Sequence, residues 1–432
     1  MSLVTEHLSE KVRVLVFPCG AENGTEIHNA LRYSLHVQLF GASSVDDHGR
    51  FRYANYNGNL PNIADPQFLA AFATLLKKWQ IDVIFPTHDT VCEFLAAHSA
   101  TFDCFVVNSD PVATRTARKK SLTYKLFSDQ PWVPRVYRDL DAVTTWPVVI
   151  KPDMGQGGRG IRVVDNILQA KTAMVAVTAP LLTEYLPGAE VTVDCFTDRH
   201  GRVLFVGPRT RERVRAGIAM RSRFLANDAG ITDIAERINC RMKLRGPWFF
   251  QLKRDTDDHW KLLEVSCRVA GSMVAQRARG VNLPLLTIHD YLGRDVAVNP
   301  SDSITMIDRS LSTYAEFNVE FDDVFVDLDD TLVIGGRATH YVVAFLYLMV
   351  ARDKRIVLIT RHANDVTKTL EDARLSPGLF DEIIHIQDGS DKADYVTARA
   401  VFIDNHYPER LSVSRRCNVP VFDVDALEFH LR

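Results

Sequence analysis

The chain has 432 residues, more than one hydrophobic core usually supports, so about three folding units are expected. Apolar residues make up 46% of the chain and charged residues 24%, and a formal net charge of -3 provides no bulk field that would select nucleic acid or an anionic membrane. The seven cysteines form no Cys-x-x-Cys pair, which disfavours a disulfide framework and a zinc site.

No segment is typical of a membrane anchor or an export signal. The longest apolar run, Tyr341–Val350, has about half of the roughly 20 residues that a membrane-spanning helix needs. Residues 1–11 are too polar for a signal peptide. We therefore expect a soluble, cytoplasmic protein with neither a nucleic-acid nor a membrane partner.

Residues 1–110 have the pattern of a parallel α/β domain. A β-branched run at 12–17 ends in a Pro- and Gly-containing loop, and apolar residues then recur at helical spacing as far as Leu35. The pattern repeats with a helix over 68–79, a strand over 83–85 and a helix from Val91. Ligands bind at the carboxyl ends of such strands, so the loops at 17–24 and His88-Asp89 are candidates for substrate contact.

Residues 111–299 have mixed α+β character. Helices are predicted at 119–127, 231–238 and 274–278. Strands are predicted at 146–150, 161–164, 181–185, 190–196, 203–206, 248–253 and 260–265.

A glycine-rich loop follows the first of these strands. Glycines let backbone N–H groups approach phosphate oxygens, and a lysine on the preceding strand neutralises charge. The loop begins with that lysine and contains four glycines: Lys151, Gly155, Gly157, Gly158 and Gly160. Taken alone, the loop fits a tight hairpin equally well.

With the residues around it, this loop resembles the ATP-grasp superfamily, in the branch of the carbamoyl-phosphate synthase large subunit and biotin carboxylase. The resemblance covers about residues 11–295 and implies a pre-ATP-grasp α/β domain over 1–110 and an ATP-grasp nucleotide-binding domain over 111–299. It implies that ATP is held by two lysines, the loop glycines and an acidic hinge: Lys120, Lys151, Gly155, Gly157, Gly158, Glu184, Tyr185, Leu186 and Glu190.

The same resemblance implies a magnesium site beside the phosphates. Gln251 and Glu264 match the metal ligands, and Arg268 is expected to face the phosphates as a catalytic residue. Mg²⁺ prefers hard oxygen ligands, and Mn²⁺ is an acceptable substitute. Relatives usually carry Asn at the third ligand position, where this chain has Ser266, so one metal ion is expected to be held loosely or through water. Lys119 is a second departure, since an acid commonly precedes the first lysine.

Enzymes of this family typically form an acyl phosphate from a carboxylate, which an amine or similar nucleophile then displaces. The arginines between 209 and 223 suit an anionic or phosphorylated small-molecule substrate, although a solvated charged segment explains them equally well. Related ligases are often homodimers. Carbamoyl phosphate synthesis is disfavoured because the chain has a single loop of this kind and lacks duplicated synthetase halves.

A second phosphate-handling pattern begins at Asp327, after a linker over 300–318. Asp327-Leu-Asp-Asp-Thr-Leu332 follows a predicted strand at 324–326, and further strands are predicted at 356–359, 382–386 and 401–403. The motifs resemble the haloacid dehalogenase (HAD) superfamily, which implies a HAD-like Rossmannoid domain over 319–432. The implied nucleophile, acid/base, phosphate ligands and metal-binding acid are Asp327, Asp329, Thr360, Lys392 and Asp404, with Asp327 and Asp329 also at the Mg²⁺.

Two features leave alternatives open. The stretches between the motifs are too short for a large cap domain, so an open phosphatase site is expected. Many relatives carry a second acid where this chain has Asn405, and Asn405 equally suits a catalytically silent assembly module. Ser266 leaves room for an ATP-binding sensor or kinase-like module that performs no ligation.

Overall fold

The computed structural model describes residues 11–108, 110–155, 157–226, 228–312 and 319–429. These residues form two compact units, of which the first ends at Ser310 and the second begins at Leu311. The division falls within the predicted linker 300–318, whose residues 313–318 lie outside the described part.

The first unit opens with a parallel five-stranded sheet in the order β3-β2-β1-β4-β5. Val14, Leu15 and Val16 of β1 are fully buried, because helices cover both faces of a parallel sheet. Phe17 pairs with Pro86, so the loops that follow β1 and β4 lie side by side. The elements are β1 (Val12–Phe17), α1 (Glu22–Leu31), β2 (Val37–Ala42), β3 (Asn55–Asn57), α2 (Phe68–Trp79), β4 (Val83–Pro86), α3 (Asp89–Ala97) and β5 (Phe105–Val106).

The helical spacing after β1 extends too far in the sequence-based prediction. Helix α1 ends at Leu31, and Leu35 lies beyond it with 67% of its surface exposed. The prediction that Leu35 belongs to this helix is wrong, because the chain turns at 32–36 to enter β2, a strand that the sequence pattern did not indicate.

A small antiparallel sheet, β7-β6-β8, carries the glycine-rich loop as the connection between β6 and β7. Strand β6 begins at Val148, two residues later than predicted, and includes Lys151. Asp153 accepts hydrogen bonds from the backbone N–H and hydroxyl of Ser121, which fixes the start of α5 against this loop. The elements are α4 (Pro111–Arg118), α5 (Lys120–Leu126), β6 (Val148–Pro152), β7 (Arg162–Val164), α6 (Ile167–Ala176) and β8 (Pro180–Glu184).

A four-stranded antiparallel sheet in the order β10-β9-β13-β14 completes the first unit, with a three-stranded sheet β11-β12-β15 beside it. The core of the larger sheet is aromatic, and Phe196, Trp248 and Phe250 are fully buried. The elements are β9 (Glu190–Thr197), β10 (Val203–Thr210), β11 (Arg213–Arg215), β12 (Ile218–Arg223), α7 (Ala229–Met242), β13 (Gly246–Arg254), β14 (Trp260–Ser266), α8 (Val274–Ala278), α9 (Leu283–Tyr291) and β15 (Met306–Asp308).

The second unit is a doubly wound parallel sheet in the order β20-β19-β16-β21-β22. Successive residues of β16 point to opposite faces: Val324 and Val326 pack in one apolar cluster and Phe325 in another. The elements are β16 (Asp323–Val326), β17 (Val333–Ile334), β18 (Arg337–Ala338), α10 (His340–Val350), β19 (Arg355–Thr360), α11 (Val366–Asp372), β20 (Glu382–His385), β21 (Ala400–Ile403), α12 (Tyr407–Cys417) and β22 (Val421–Phe422).

Among the helices of the described ranges, none is long and apolar enough to cross a membrane. The longest apolar run of the sequence forms α10, which buries Val342, Phe345, Leu346 and Met349 in the core of the second unit.

Candidate functional sites

A cavity of about 260 Å³ lies in the first unit. Its walls come from the loops after β1 and β4, the end of α4, the glycine-rich loop, the turn between β11 and β12, and strands β13 and β14. Of the residues predicted to hold nucleotide, metal or phosphate, the cavity is lined by Lys120, Gly155, Gly157, Gln251, Glu264, Ser266 and Arg268.

Two of the three predicted metal-ligand positions, Gln251 and Glu264, are cross-strand neighbours. Gln251 of β13 lies directly opposite Glu264 of β14 in antiparallel register, so both side chains project from the same face of the sheet. Lys120, the first residue of α5, places its ammonium 3.9 Å from a carboxylate oxygen of Glu264. Two oxygen-bearing side chains and a cation therefore meet on one wall of the cavity.

Lys151 is a buried cation, with 6% of its surface exposed. Its ammonium donates a hydrogen bond of 2.9 Å to the hydroxyl of Tyr124, whose own proton goes to the carbonyl of Leu263. Burial, reinforced by the charge of Lys120, lowers the pKa of Lys151 to about 7, while the Glu264 carboxylate opposes the shift. Within the described ranges, no carboxylate lies within 4 Å of this ammonium, which suits it to an anion that arrives from outside.

The glycine-rich loop contacts the turn between β11 and β12. Gly157, Gly158 and Gly160 all have positive φ, between +65° and +77°, which favours glycine. A methyl group built on Gly217 would lie 2.0 Å from Cα of Gly157, so these two backbones touch. Gly158 faces open space, where its backbone is accessible to a ligand.

Arg268 and Ser266 are both bound to Asp89. The Asp89 carboxylate accepts from Nε and Nη2 of Arg268, each at 2.9 Å, and from the Ser266 hydroxyl at 2.7 Å. Although burial raises it, the pKa of Asp89 is held well below its usual value by the charge and hydrogen bonds of Arg268. Asp89 therefore stays ionised, and the hydroxyl of Ser266 is directed at it.

The predicted adenine and ribose residues do not line this cavity. Glu184 accepts a hydrogen bond from the backbone N–H of Arg135, and Leu186 is buried. Tyr185 is half-buried, and Glu190 lies 2.6 Å from Nε of Arg211. Glu184 ends β8, Glu190 begins β9, and Tyr185 and Leu186 lie in the connection between these strands, while Lys151 lies on the neighbouring β6. Their nucleotide roles stay predictions.

Most of the arginines between 209 and 223 are already paired with acids. Arg209 is completely buried and makes a bidentate ion pair with Asp194. Arg213 and Arg221 both contact Asp308 of β15. These ion pairs show that much of this charge is structural; Arg209 and Arg211 still line the cavity.

In the second unit, three predicted residues form one buried ion cluster. The ammonium of Lys392 lies 2.6 Å from Asp327 and 2.7 Å from Asp404, and all three side chains are at least nine-tenths buried. Burial raises the pKa of Asp327 to about 6, against the opposing charge of Lys392. Although burial lowers it, the pKa of Lys392 is raised by the two carboxylates.

The other two predicted residues lie at the same edge of the sheet. Thr360 ends β19, next to β16, and accepts a hydrogen bond from the backbone N–H of His362. The ring of His362 contacts the Asp329 carboxylate through Nδ1 at 2.9 Å and Thr369 through Nε2 at 2.7 Å. The carboxyl edge of this sheet thus gathers the predicted nucleophile, acid/base and phosphate ligands.

Asn405 takes part in a small hydrogen-bond network. Its side-chain amide oxygen accepts a hydrogen bond of 3.1 Å from the hydroxyl of Thr331, which also lies 3.2 Å from a carboxylate oxygen of Asp327. Its backbone N–H donates to the same hydroxyl.

The sequence analysis missed three residues that contact the predicted sites: Tyr124, Thr331 and His362. Tyr124 lies in the predicted helix 119–127, Thr331 lies in the motif 327–332, and His362 lies two residues after Thr360, so proximity in sequence was the available signal. Their roles depend on side-chain contacts between separate elements, which no spacing rule reports.

Comparison with known proteins concerns the first of the two sites. Residues 177–310 match the family model described as "ATP-grasp in the biosynthetic pathway with Ter operon". Biotin carboxylase from Campylobacter jejuni, in a complex with β-γ-ATP, is 17% identical with a TM-score of 0.55, over 68% of this chain and 74% of that one.

Two further solved structures are similar. The L-amino acid ligase from Bacillus licheniformis is 18% identical with a TM-score of 0.53, over 66% of this chain and 74% of that one. The biotin carboxylase domain dimer of Hydrogenobacter thermophilus 2-oxoglutarate carboxylase, in complex with the magnesium salt of ADP, ADP and bicarbonate, is 15% identical with a TM-score of 0.54, over 68% and 72% of the two chains. At these identities the likeness shows the fold.

Proposed function

We propose that this chain, which has the mixed α/β ATP-grasp fold, is a ligase that joins a small carboxylate to an amine or similar nucleophile at the expense of ATP. One observation carries the proposal: the Gln251–Glu264 pair, Lys120 and the glycine-rich loop converge on one cavity. A similar fold in a protein named L-amino acid ligase supports the same class of reaction.

The residues present fit a magnesium ion. Gln251 and Glu264 offer an amide oxygen and a carboxylate on one sheet face, which are the hard donors that Mg²⁺ prefers and Mn²⁺ accepts. When bound, the ion neutralises phosphate charge. One similar structure contains the magnesium salt of ADP.

The proposed reaction has two steps. An oxygen of the carboxylate forms a bond to the γ-phosphorus while the bond from that phosphorus to the β,γ-bridging oxygen breaks, and ADP leaves with the electron pair. The nitrogen of the amine then attacks the acyl carbon, and phosphate leaves as the nitrogen loses a proton. The products are an amide, ADP and phosphate.

Residues of this chain stabilise the negative charge that develops in these steps. Lys120 and Lys151 present ammonium groups from α5 and β6, and glycine backbone N–H groups cover the phosphates without side-chain obstruction. Arg268, two residues after β14, contributes a guanidinium to the same cavity, and the hinge over 184–190 holds the adenosine. The first unit thus works by positioning and electrostatic stabilisation.

The test is ADP release by the full chain from ATP and Mg²⁺ across pooled carboxylates and amines. Wild type should form ADP only when both pools are present, and Lys151→Ala should lose this activity. Lys171→Ala, an exposed lysine of α6, is the matched control and should behave as wild type. Binding of ATP without acceptor-dependent ADP formation would reject the ligase and favour the sensor module.

We further propose that the second unit is a HAD-like, Mg²⁺-dependent phosphohydrolase without a large cap. The supporting observation is the buried cluster of Asp327, Lys392 and Asp404 at the carboxyl edge of a doubly wound parallel sheet. Asp329 follows at the same edge, so the site has three carboxylates and one ammonium. The net charge is negative and oxygen lone pairs are left over, which fits a divalent cation.

The proposed hydrolysis also has two steps. An oxygen of Asp327 bonds to phosphorus as the ester bond breaks, and Asp329 gives its proton to the departing oxygen. A water molecule then attacks phosphorus, passing its proton to Asp329, and phosphate is released from Asp327. Thr360 and Lys392 hold the phosphoryl oxygens.

Phosphate release from p-nitrophenyl phosphate by the full chain tests this second activity. Asp327→Asn should abolish it and leave ADP formation by the first unit unchanged. The matched control is Asp353→Asn, since Asp353 is exposed and has a positive φ that Asn tolerates. Equal rates for wild type and Asp327→Asn would favour the silent assembly module.

The remaining parts of the proposal concern boundaries and assembly. We assign residues 1–110, 111–299 and 319–432 to the three domains, joined by a linker over 300–318. A cytoplasmic homodimer fits the dimeric state named for one similar structure, and light scattering of the purified chain would test it.

A further inference from the structure

We infer that Asp89 is a positioning residue of the nucleotide site: it orients Arg268 toward the phosphates and engages the Ser266 hydroxyl, so that Ser266 is not a metal ligand. The inference rests on the proposed ATP site. It assigns a role in nucleotide binding to the first residue of helix α3, which lies 177 positions from Ser266 in the chain.

Asp89 and Phe249 restrict the guanidinium of Arg268 along one edge and one face. Asp89 opens α3 directly after the loop that follows β4, and its two oxygens take the Nε and Nη2 edge of the guanidinium at 2.9 Å each. The ring of Phe249 lies 5.3 Å from the guanidinium carbon. A bidentate bond on one edge and an aromatic ring on one face together restrict the orientation of the side chain.

The guanidinium of Arg268 keeps two N–H groups for a ligand. A guanidinium has five N–H groups. Two go to Asp89, and one on Nη1 goes to the backbone oxygen of Val269 at 3.2 Å. One N–H remains on each of Nη1 and Nη2, and each can donate to a phosphate oxygen. Arg268 lines the cavity, so this pair is available to a nucleotide.

Ser266 is directed to the same carboxylate. A serine hydroxyl has a single proton, and here it is donated to Asp89 at 2.7 Å, which draws the oxygen toward Asp89. An Asn at this position could donate from its amide nitrogen and still offer its oxygen to a metal ion. The Ser266 oxygen keeps its lone pairs, but it is on a shorter side chain than Asn and is held 2.7 Å from Asp89, so we assign the metal to Gln251 and Glu264.

The test compares ATP and AMP binding by calorimetry in the presence of Mg²⁺, without any acceptor. Asp89→Asn should weaken ATP binding about tenfold, as expected for a misplaced charge-assisted hydrogen bond, and leave AMP binding unchanged. Glu93→Gln, an acid on the same helix that does not line the cavity, is the matched control and should bind both nucleotides as wild type does.

A double-mutant cycle separates positioning from independent binding. Arg268→Lys should also weaken ATP binding, and Asp89→Asn should add no further loss in that background, because its effect passes through Arg268. Additive losses would overturn the inference. So would equal loss of ATP and AMP binding by Asp89→Asn, which would indicate a purely structural role.

Ser266→Ala tests the metal assignment. The Mg²⁺ concentration that gives half-maximal ATP binding should be the same as in wild type, although ATP affinity falls two- to threefold through the loosened Asp89. A tenfold or larger increase in that Mg²⁺ concentration would make Ser266 a ligand and overturn this part. These binding assays need no acceptor, so they are independent of ligase activity. If the wild type forms no ADP with any acceptor but Asp89→Asn still weakens ATP binding alone, the ligase is rejected and the positioning role is supported.

Discussion

Lys151 combines a positive charge with almost no access to solvent. Its hydrogen-bond partner, Tyr124, is a neutral phenol. The negative charge that stabilises the ammonium is that of Glu264, which also lies 3.9 Å from the ammonium of Lys120. A buried cation with so little compensation is costly unless a ligand supplies the anion. The cost explains both the shifted pKa and the fit to a polyphosphate.

ATP affinity should therefore depend on pH through Lys151. Its pKa is lowered to about 7, chiefly by burial, so below pH 7 the free protein carries the charged form that binds phosphate. Above pH 7 the affinity measured by calorimetry should fall by up to about tenfold per pH unit. Lys151→Arg keeps its charge and controls for titration of the nucleotide, so its affinity should stay flat; parallel pH profiles for the two proteins would contradict this account.

His28 should make the first unit sensitive to acid. Burial, with the charge of Arg52, lowers the pKa of His28 from 6.5 to about 4, and its ring packs edge-on against Tyr53. Between pH 6.5 and 4, His28 is protonated in the unfolded chain and neutral in the folded chain. The free energy of unfolding should thus be highest above pH 6.5 and fall by about 3 kcal/mol as the pH approaches 4.

The measurement for His28 is urea unfolding followed by tryptophan fluorescence. All five tryptophans lie between residues 79 and 260, so the signal reports the first unit. His28→Gln should flatten the loss of stability between pH 6.5 and 4. His259→Gln, at a side chain that is 73% exposed, should keep the wild-type slope.

At the scale of elements, the site is made where strand ends and hairpin turns converge. The parallel pairing of β1 with β4 brings two loops together, and the antiparallel pairing of β13 with β14 places Gln251 opposite Glu264. The glycine-rich hairpin and the β11–β12 turn meet backbone to backbone at Gly157 and Gly217. Close approach of this kind requires glycine on both sides.

Gly217→Ala should open this contact. The new methyl group would lie 2.0 Å from Cα of Gly157, so the two hairpins must separate, and ATP affinity should fall at least fivefold. Gly201→Ala is the matched control: Gly201 has the same φ of +78°, and a methyl group there meets nothing within 4 Å. Both variants carry backbone strain of about 1 kcal/mol, but only the first should change ATP binding or protease cleavage of the loop. Equal effects would assign the loss to strain alone.

At the scale of the whole molecule, each apolar cluster draws its residues from one unit. Clusters around Val14, Trp248, Phe72 and Ile150 belong to the first unit, and those around Val326 and Phe402 belong to the second. Separate cores allow each unit to be stable by itself.

Lys392→Met should reveal this separation. It leaves Asp327 and Asp404 buried together without their cation, so the free energy of unfolding of the second unit should fall by about 3 kcal/mol or more. Circular dichroism in urea should show an earlier transition while tryptophan fluorescence, which reports the first unit, keeps its wild-type midpoint. Lys368→Met, at an exposed i,i+4 pair with Asp372, should change neither signal. A shift of both signals would mean that the two units unfold as one.

Much of this protein was predictable from the sequence, because local patterns determine local structure. Runs of β-branched and apolar residues located strands such as 12–17 and 248–253, and helical spacing located helices such as 68–79. The order of the motifs indicated an ATP-grasp fold, which is confirmed. The HAD-like role of Asp327 and the ligand roles of the first site stay predictions. Short edge strands such as β3 and β15 were missed, because they owe their conformation to a partner strand.

The sequence by itself determined which residue types the chain has for phosphate chemistry and in what order they occur. Only the tertiary structure decided which of those charges are available. Arg209, Arg213 and Arg221 form one charged stretch in sequence, yet ion pairs with distant acids occupy all three. Lys151 and Arg268 differ in charge compensation for the same reason: Lys151 is buried beside the neutral phenol of Tyr124, whereas Arg268 is paired with the carboxylate of Asp89. Charge compensation is a property of distances between elements, and no local spacing in the chain encodes those distances.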